Sequence, residues 1–153
     1  MVEKPASVHA SCVLVGARAL LIRGPSGSGK SRLALEMIQA AANSGRLRFA
    51  RLVADDRVYL APAGGRLLAR PAEPLAGLIE VRGVGLLRLP YEPSAVVGLI
   101  VDLGATDASR LCDPELREVA VDGILLPRLP VALGAEALPG ILALLNSPQE
   151  SWL

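Results

Sequence analysis

The 153 residues amount to one domain, and 52% apolar against 20% charged residues supplies a packed core, which excludes a solvated disordered segment and leaves little chain for a second fold. Aromatic residues are only 3%, too few to stack bases, and sixteen Lys and Arg balance fifteen Asp and Glu to a net +1, so neither nucleic acid nor an anionic membrane is an expected partner. Mean hydropathy is +0.44, yet charges interrupt every apolar stretch before the roughly 18 residues of a spanning helix.

The chain opens with Glu3 beside Lys4 and an apolar run broken by small polar residues, unlike the basic and apolar regions of an export signal, so a cytoplasmic setting is expected. Val8 to Val15 reads as a strand and, across Gly16-Ala17, pairs with a second strand at Ala19 to Ile22. Gly24 to Gly29 is a glycine-rich turn. After it, Ala34, Met37, Ile38 and Ala41 mark one face of a helix over Leu33 to Ala42, which ends at Asn43-Ser44-Gly45. Arg51 to Ala54 reads as a short buried strand that delivers Asp55 and Asp56 at its end.

Arg57 to Ala61 and Arg66 to Ala69 flank a Pro-Ala-Gly-Gly turn and predict a peripheral hairpin. Leu75 to Leu89, rich in glycine, predicts an irregular segment in which Glu80 and Arg82 form a surface ion pair. Ala95 to Val101 is a second fully apolar strand ending at Asp102, and Ala105 to Glu118 is polar enough for a loop with a short helix. Gly123 to Leu133 is extended, and Ala135 to Leu145 predicts a helix that starts or kinks at Pro139. Cys12 and Cys112, without neighbouring ligands at metal spacing, read as reduced structural thiols.

Gly24-Pro25-Ser26-Gly27-Ser28-Gly29-Lys30-Ser31 fits G-x-x-x-x-G-K-[ST] between a strand and a helix. Such a loop turns its backbone N–H groups inward, and the positive end of the following helix adds to them, so polyphosphate binds without a buried side-chain charge. Lys30 reaches the terminal phosphates and Ser31 offers a hydroxyl to Mg²⁺. Transfer needs a carboxylate near the metal and a group to take the acceptor's proton. By pattern Asp102 ends the better Walker B strand, while Asp55-Asp56 offers two carboxylates on opposite sides of an extended backbone, one for a metal and one for a proton. His9, the sole histidine, lies among small apolar residues where a core role is the ordinary reading.

Four blocks, His9 to Val15, Gly24 to Ser31, Leu52 to Val58 and Ile79 to Gly85, resemble in order the catalytic domain of the HPr kinase/phosphorylase family. The resemblance covers about residues 7 to 133 and is to a short form without the family's N-terminal domain, so residues 1–153 are expected to be a single catalytic domain. It implies an α/β fold, a mixed sheet with packed helices and a P-loop, and an enzyme that uses ATP and Mg²⁺ to phosphorylate a serine of the phosphocarrier protein HPr. In many members phosphate also removes that group as pyrophosphate.

The same resemblance implies roles. Lys30 and the loop from Gly24 to Ser31 hold phosphates, Ser31 and Glu80 hold Mg²⁺, Asp56 takes the serine proton with His9 beside it, and Arg110 is the transition-state arginine. Asp55 and Arg82 are supporting residues, and Asp102 has no role. Homo-oligomers, hexameric in long members, are implied as well. Where full-length relatives carry an arginine-containing turn linked to the phosphorylase reaction, this chain has Pro130-Val131-Ala132-Leu133-Gly134-Ala135, which leaves the reverse reaction open. The rival readings are a P-loop kinase of a small metabolite and a non-catalytic nucleotide sensor.

Overall fold

The computed structural model describes residues 6–45, 47–109 and 113–147. Its centre is a hairpin of β2 (Ser11–Val15) and β3 (Arg18–Arg23), joined antiparallel with Ser11 opposite Ile22. β9 (Ala95–Leu103) runs parallel to β3, and β4 (Ala50–Ala54) pairs antiparallel with β2. β3, β4 and β9 therefore all end at one edge of the sheet, and β2 begins there.

The apolar runs in β3 and β9 are continuous because both faces of the sheet are covered. Leu20, Ile22, Leu99, Val101 and Leu103 pack with α1 (Lys30–Gln39) and α2 (Leu138–Leu145). Leu21, Val97 and Ile100 pack instead with Val58, Leu60, Leu67 and Ala69. Those last four belong to β5 (Arg57–Ala63) and β6 (Arg66–Pro71), so the hairpin expected to be peripheral supplies much of the second core. β6 joins the sheet by pairing Leu68 and Ala69 with the first residues of β9. The order is β1-β5-β6-β9-β3-β2-β4, with β1 spanning Ser7–His9.

Other differences from expectation have local causes. The strand expected over Val8 to Val15 breaks at Ala10, whose N–H donates to the Asp56 carbonyl, so β1 leaves for β5 while β2 stays with β3. The segment expected to be irregular forms a hairpin, β7 (Leu78–Val81) and β8 (Gly85–Arg88), closed through Gly83 at φ 83°. Proline and glycine there mark the turns on either side rather than an absence of strands. The extended segment near the C-terminus is β11 (Ile124–Val131), parallel to the last residues of β9 and hairpinned to β10 (Glu118–Val121). α2 begins at Leu138 with Pro139 in its first turn, the first of the two expected placements. α1 starts three residues before the apolar periodicity and continues as a wide turn over Ala40–Ser44.

Candidate active site

The loop Gly24 to Gly29 leaves the edge where β3 ends. Gly24 is required by close approach: a Cβ there would lie 2.6 Å from Ser28 Oγ and 2.9 Å from the Leu103 carbonyl oxygen. Gly29, at φ 95°, turns the chain into α1 in a conformation costly for other residues. No side chain caps the first turn of α1, and no acid lies in it. Its N–H groups and positive end therefore face the loop's concavity, the arrangement that binds phosphate. Lys30 Nζ donates to the carbonyls of Gly24 at 2.9 Å and Pro25 at 3.1 Å, which folds the ammonium back over the loop.

A cavity of about 670 Å³ opens beside this loop. One wall is Ser26, Gly27, Ser28, Gly29, Lys30 and Ser31; the other carries Asp56 after β4 and Glu80 and Arg82 on the β7–β8 hairpin. Ser11, Arg32, Leu35 and Val81 complete it. The site thus gathers most of the residues proposed from sequence. Gly24 and Pro25 support it from behind through Lys30, and Arg110 lies outside the described residues, as does Cys112.

Asp55 and Asp56 have different surroundings. Asp55 is buried, and its Oδ1 accepts from Ser31 Oγ at 2.7 Å and from Ser11 Oγ at 2.6 Å, while its Oδ2 accepts from the Glu80 backbone N–H at 3.2 Å. Asp56 is exposed, and it sits not on an extended backbone as expected but at φ 69°, a left-handed conformation that Asp tolerates better than most residues. That turn separates the carboxylates. His9 is no core residue: its side chain is 69% exposed and its Nδ1 lies 3.8 Å from Asp56 Oδ1.

Asp102 does not reach the cavity. Val101 and Leu103 pack toward α1, so strand alternation sends Asp102 to the opposite face. There it accepts from Arg23 Nε at 2.7 Å and Arg128 Nε at 2.6 Å. Burial alone would raise its pKa, but the two guanidiniums hold the carboxyl below the usual carboxylate range. The expected ion pair of Glu80 with Arg82 is not among those formed by the described residues.

Sequence reading missed Ser11. Ser11 is a hydroxyl at 1% exposure in an otherwise apolar strand, and that isolation was the available signal. The buried Ser28 Oγ lacks a hydrogen-bond partner and lies in the cavity lining. An orphan donor under a phosphate loop fits an anion that would accept from it.

Residues 2–92 match the family model of the HPr Serine kinase C-terminal domain. The chain belongs to this family. An HPr kinase/phosphorylase of Streptococcus thermophilus is 37% identical over 141 residues, covering 84% of this chain and 43% of that protein. One of Streptococcus pneumoniae is 38% identical with the same coverage. The chain thus spans less than half the length of these relatives. The solved Hpr(Ser) kinase/phosphatase of Coxiella burnetii superposes with a TM-score of 0.71 over 92% of this chain and 87% of that one, at 23% identity. That match bears out the expected α/β fold, a mixed sheet with packed helices. Within this family fold the four sequence blocks fall on the strand and loop ends that surround the cavity: β1 and β2, the P-loop, β4 with its Asp pair, and the β7–β8 hairpin.

Proposed function

We propose that residues 1–153 form a catalytic domain that transfers the γ-phosphoryl group of ATP to a serine hydroxyl of an HPr-type phosphocarrier protein. The carrying observation is that the phosphate loop and the exposed Asp56 face one open cavity.

Mg²⁺ fits the residues present. Ser31 Oγ and the Glu80 carboxylate are oxygen donors on opposite walls of the cavity, the chemistry that hard cations take, and Asp55 holds the Ser31 hydroxyl from behind. Bound there, the cation would neutralise phosphate charge. Lys30, freed from the Gly24 and Pro25 carbonyls, takes the terminal phosphates, and the loop amides hold the rest.

The serine oxygen forms a bond to the γ-phosphorus while the bond to the β,γ-bridging oxygen breaks. The serine proton passes to an Asp56 carboxylate oxygen, and ADP leaves. Such a loose transition state asks mainly for alignment and charge neutralisation. Asp56 therefore needs correct placement more than high basicity, and an exposed carboxylate suffices. His9 steadies the same carboxylate, and Arg82 adds positive charge at the acceptor side. Arg110 is assigned by resemblance alone. In the opposite sense, phosphate attacks the phosphoserine phosphorus, pyrophosphate forms, and Asp56 returns its proton to the serine oxygen.

A cytoplasmic setting and self-association, hexameric as in long members, belong to the same reading; no helix among the described residues is long and apolar enough to cross a membrane. The test is incubation with labelled ATP, Mg²⁺ and HPr, followed by a phosphate chase. Labelled phosphoserine on HPr is expected, and pyrophosphate on the chase shows the reverse reaction. Nucleotide binding without transfer to HPr would leave a sensor or a small-metabolite kinase instead.

A further inference from the structure

Asp55 is a buried carboxylate with no ion pair among the described residues, and it is held by neutral donors from three elements. Both hydroxyls converge on Oδ1: Ser31 from the first turn of α1 and Ser11 from the start of β2. The two distances, 2.7 Å and 2.6 Å, are those of short bonds to a charged acceptor. The other oxygen, Oδ2, receives the Glu80 N–H and so ties the carboxylate to the hairpin that carries Glu80.

These two hydroxyls are not equivalent. Ser31 belongs to the phosphate motif, and its oxygen can offer a lone pair to the metal while its proton stays on Asp55. Ser11 has no such second duty. It sits on a central strand at 1% exposure, opposite Ile22, and no phosphate-binding motif includes it. Resting on the function proposed above, we infer that Ser11 is a positioning residue for the metal–nucleotide complex. It holds Asp55 Oδ1 where that oxygen receives the Ser31 proton, which leaves a Ser31 lone pair for the metal. Without Ser11, Asp55 loses one of its three donors, and the carboxylate that orients the Ser31 hydroxyl and the Glu80 backbone is less firmly held.

The consequence is selective. Nucleotide alone makes no use of the Ser31 lone pair that this arrangement aims, so loss of Ser11 should weaken binding only when the metal is present. The experiment is equilibrium binding of ATP by the full chain, with Mg²⁺ and with EDTA, for the wild type, Ser11→Ala and Ser11→Thr. The expected result is about a tenfold or greater loss of Mg²⁺-ATP affinity in Ser11→Ala, the size of a lost hydrogen bond to a charged group. Affinity for metal-free ATP stays within about twofold, and Ser11→Thr, which keeps the hydroxyl, restores the Mg²⁺-ATP value. Should alanine fail to fold, Ser11→Cys, similar in volume but a weak donor, takes its place.

Equal Mg²⁺-ATP affinity in Ser11→Ala and wild type overturns the inference alone. Equal losses with and without metal also overturn it, since they mark a general disturbance of the loop. A wild type that shows no metal-dependent ATP binding overturns the proposed function, and this inference with it.

Discussion

Asp55 and Asp56 are consecutive residues with opposed environments: Asp55 is 5% exposed beneath the cavity, and the Asp56 side chain is 69% exposed at its mouth. The change occurs within one residue because Asp56 adopts φ 69° and reverses the chain as β4 ends. A buried acid can organise its neighbours, and an exposed one can meet an incoming hydroxyl.

Asp56→Asn should therefore abolish transfer while preserving the protein. Asn accepts the left-handed backbone and cannot take a proton, so transfer to HPr should fall by about a hundredfold or more. Mg²⁺-ATP affinity and melting temperature should stay near wild type, as for an exposed substitution. Asp56→Ala adds backbone strain and should lose about 1 kcal/mol of stability besides. Transfer undiminished in the Asn protein would remove Asp56 from the chemistry.

Lys30 gives a prediction about binding rather than transfer. Its Nζ rests on two loop carbonyls, and the exchange of those partners for phosphate oxygens replaces neutral acceptors by charged ones. Lys30→Met keeps the stem and removes the charge. ATP affinity, followed by equilibrium dialysis, should drop at least about tenfold. Gly24→Ala should act on the loop itself, because the new methyl meets the Leu103 carbonyl at 2.9 Å and neither backbone can yield cheaply. A loss of about 1–3 kcal/mol on chemical denaturation is expected.

The strand, phosphate loop and helix were legible because glycine spacing and 3.6-residue periodicity are local signals. The role of the β5–β6 hairpin was not, because a hairpin's sequence does not say which face of another sheet it will cover; Val58, Leu60, Leu67 and Ala69 alternate alike in either case. Asp102 misled by pattern, since a strand apolar on both faces gives no parity from which to tell where its terminal acid points. Ser11 could have been suspected as the lone buried hydroxyl of β2, but its partner is 44 residues away and no spacing rule connects them.

Cys12 is wholly enclosed in the second core, and burial pushes its thiol up to about 12. The thiolate that reacts with disulfide reagents is thus scarce at pH 8, and access is blocked as well. In a Cys112→Ser background, the folded protein should show no reaction with an aromatic disulfide over minutes, and one equivalent should react in denaturant. Rapid labelling of the native protein would contradict the packing of β2 against β5 and β6.

The cluster of Arg23, Asp102, Arg128 and Asp107 ties strand ends together away from the cavity, and it predicts how the fold responds to acid. Arg128 bonds Asp102 and Asp107 and also donates to the Leu116 carbonyl, so it joins β11 to β9 and to the segment between them. The Asp107 carboxyl is lowered chiefly by its hydrogen bond from Arg128, and Asp102 is lowered despite its burial. A carboxyl whose native pKa lies below its unfolded value of about 3.9 leaves more protons on the unfolded chain. Its contribution is complete above that value and is lost as pH falls through the native one. Asp102→Asn should cost about 3 kcal/mol at pH 7, where the arginines lose their shared charge. Its melting temperature should then fall less steeply than wild type as the pH is lowered from 5 into the acid range. Parallel pH profiles for the two proteins would show that this carboxylate is not what acid titrates.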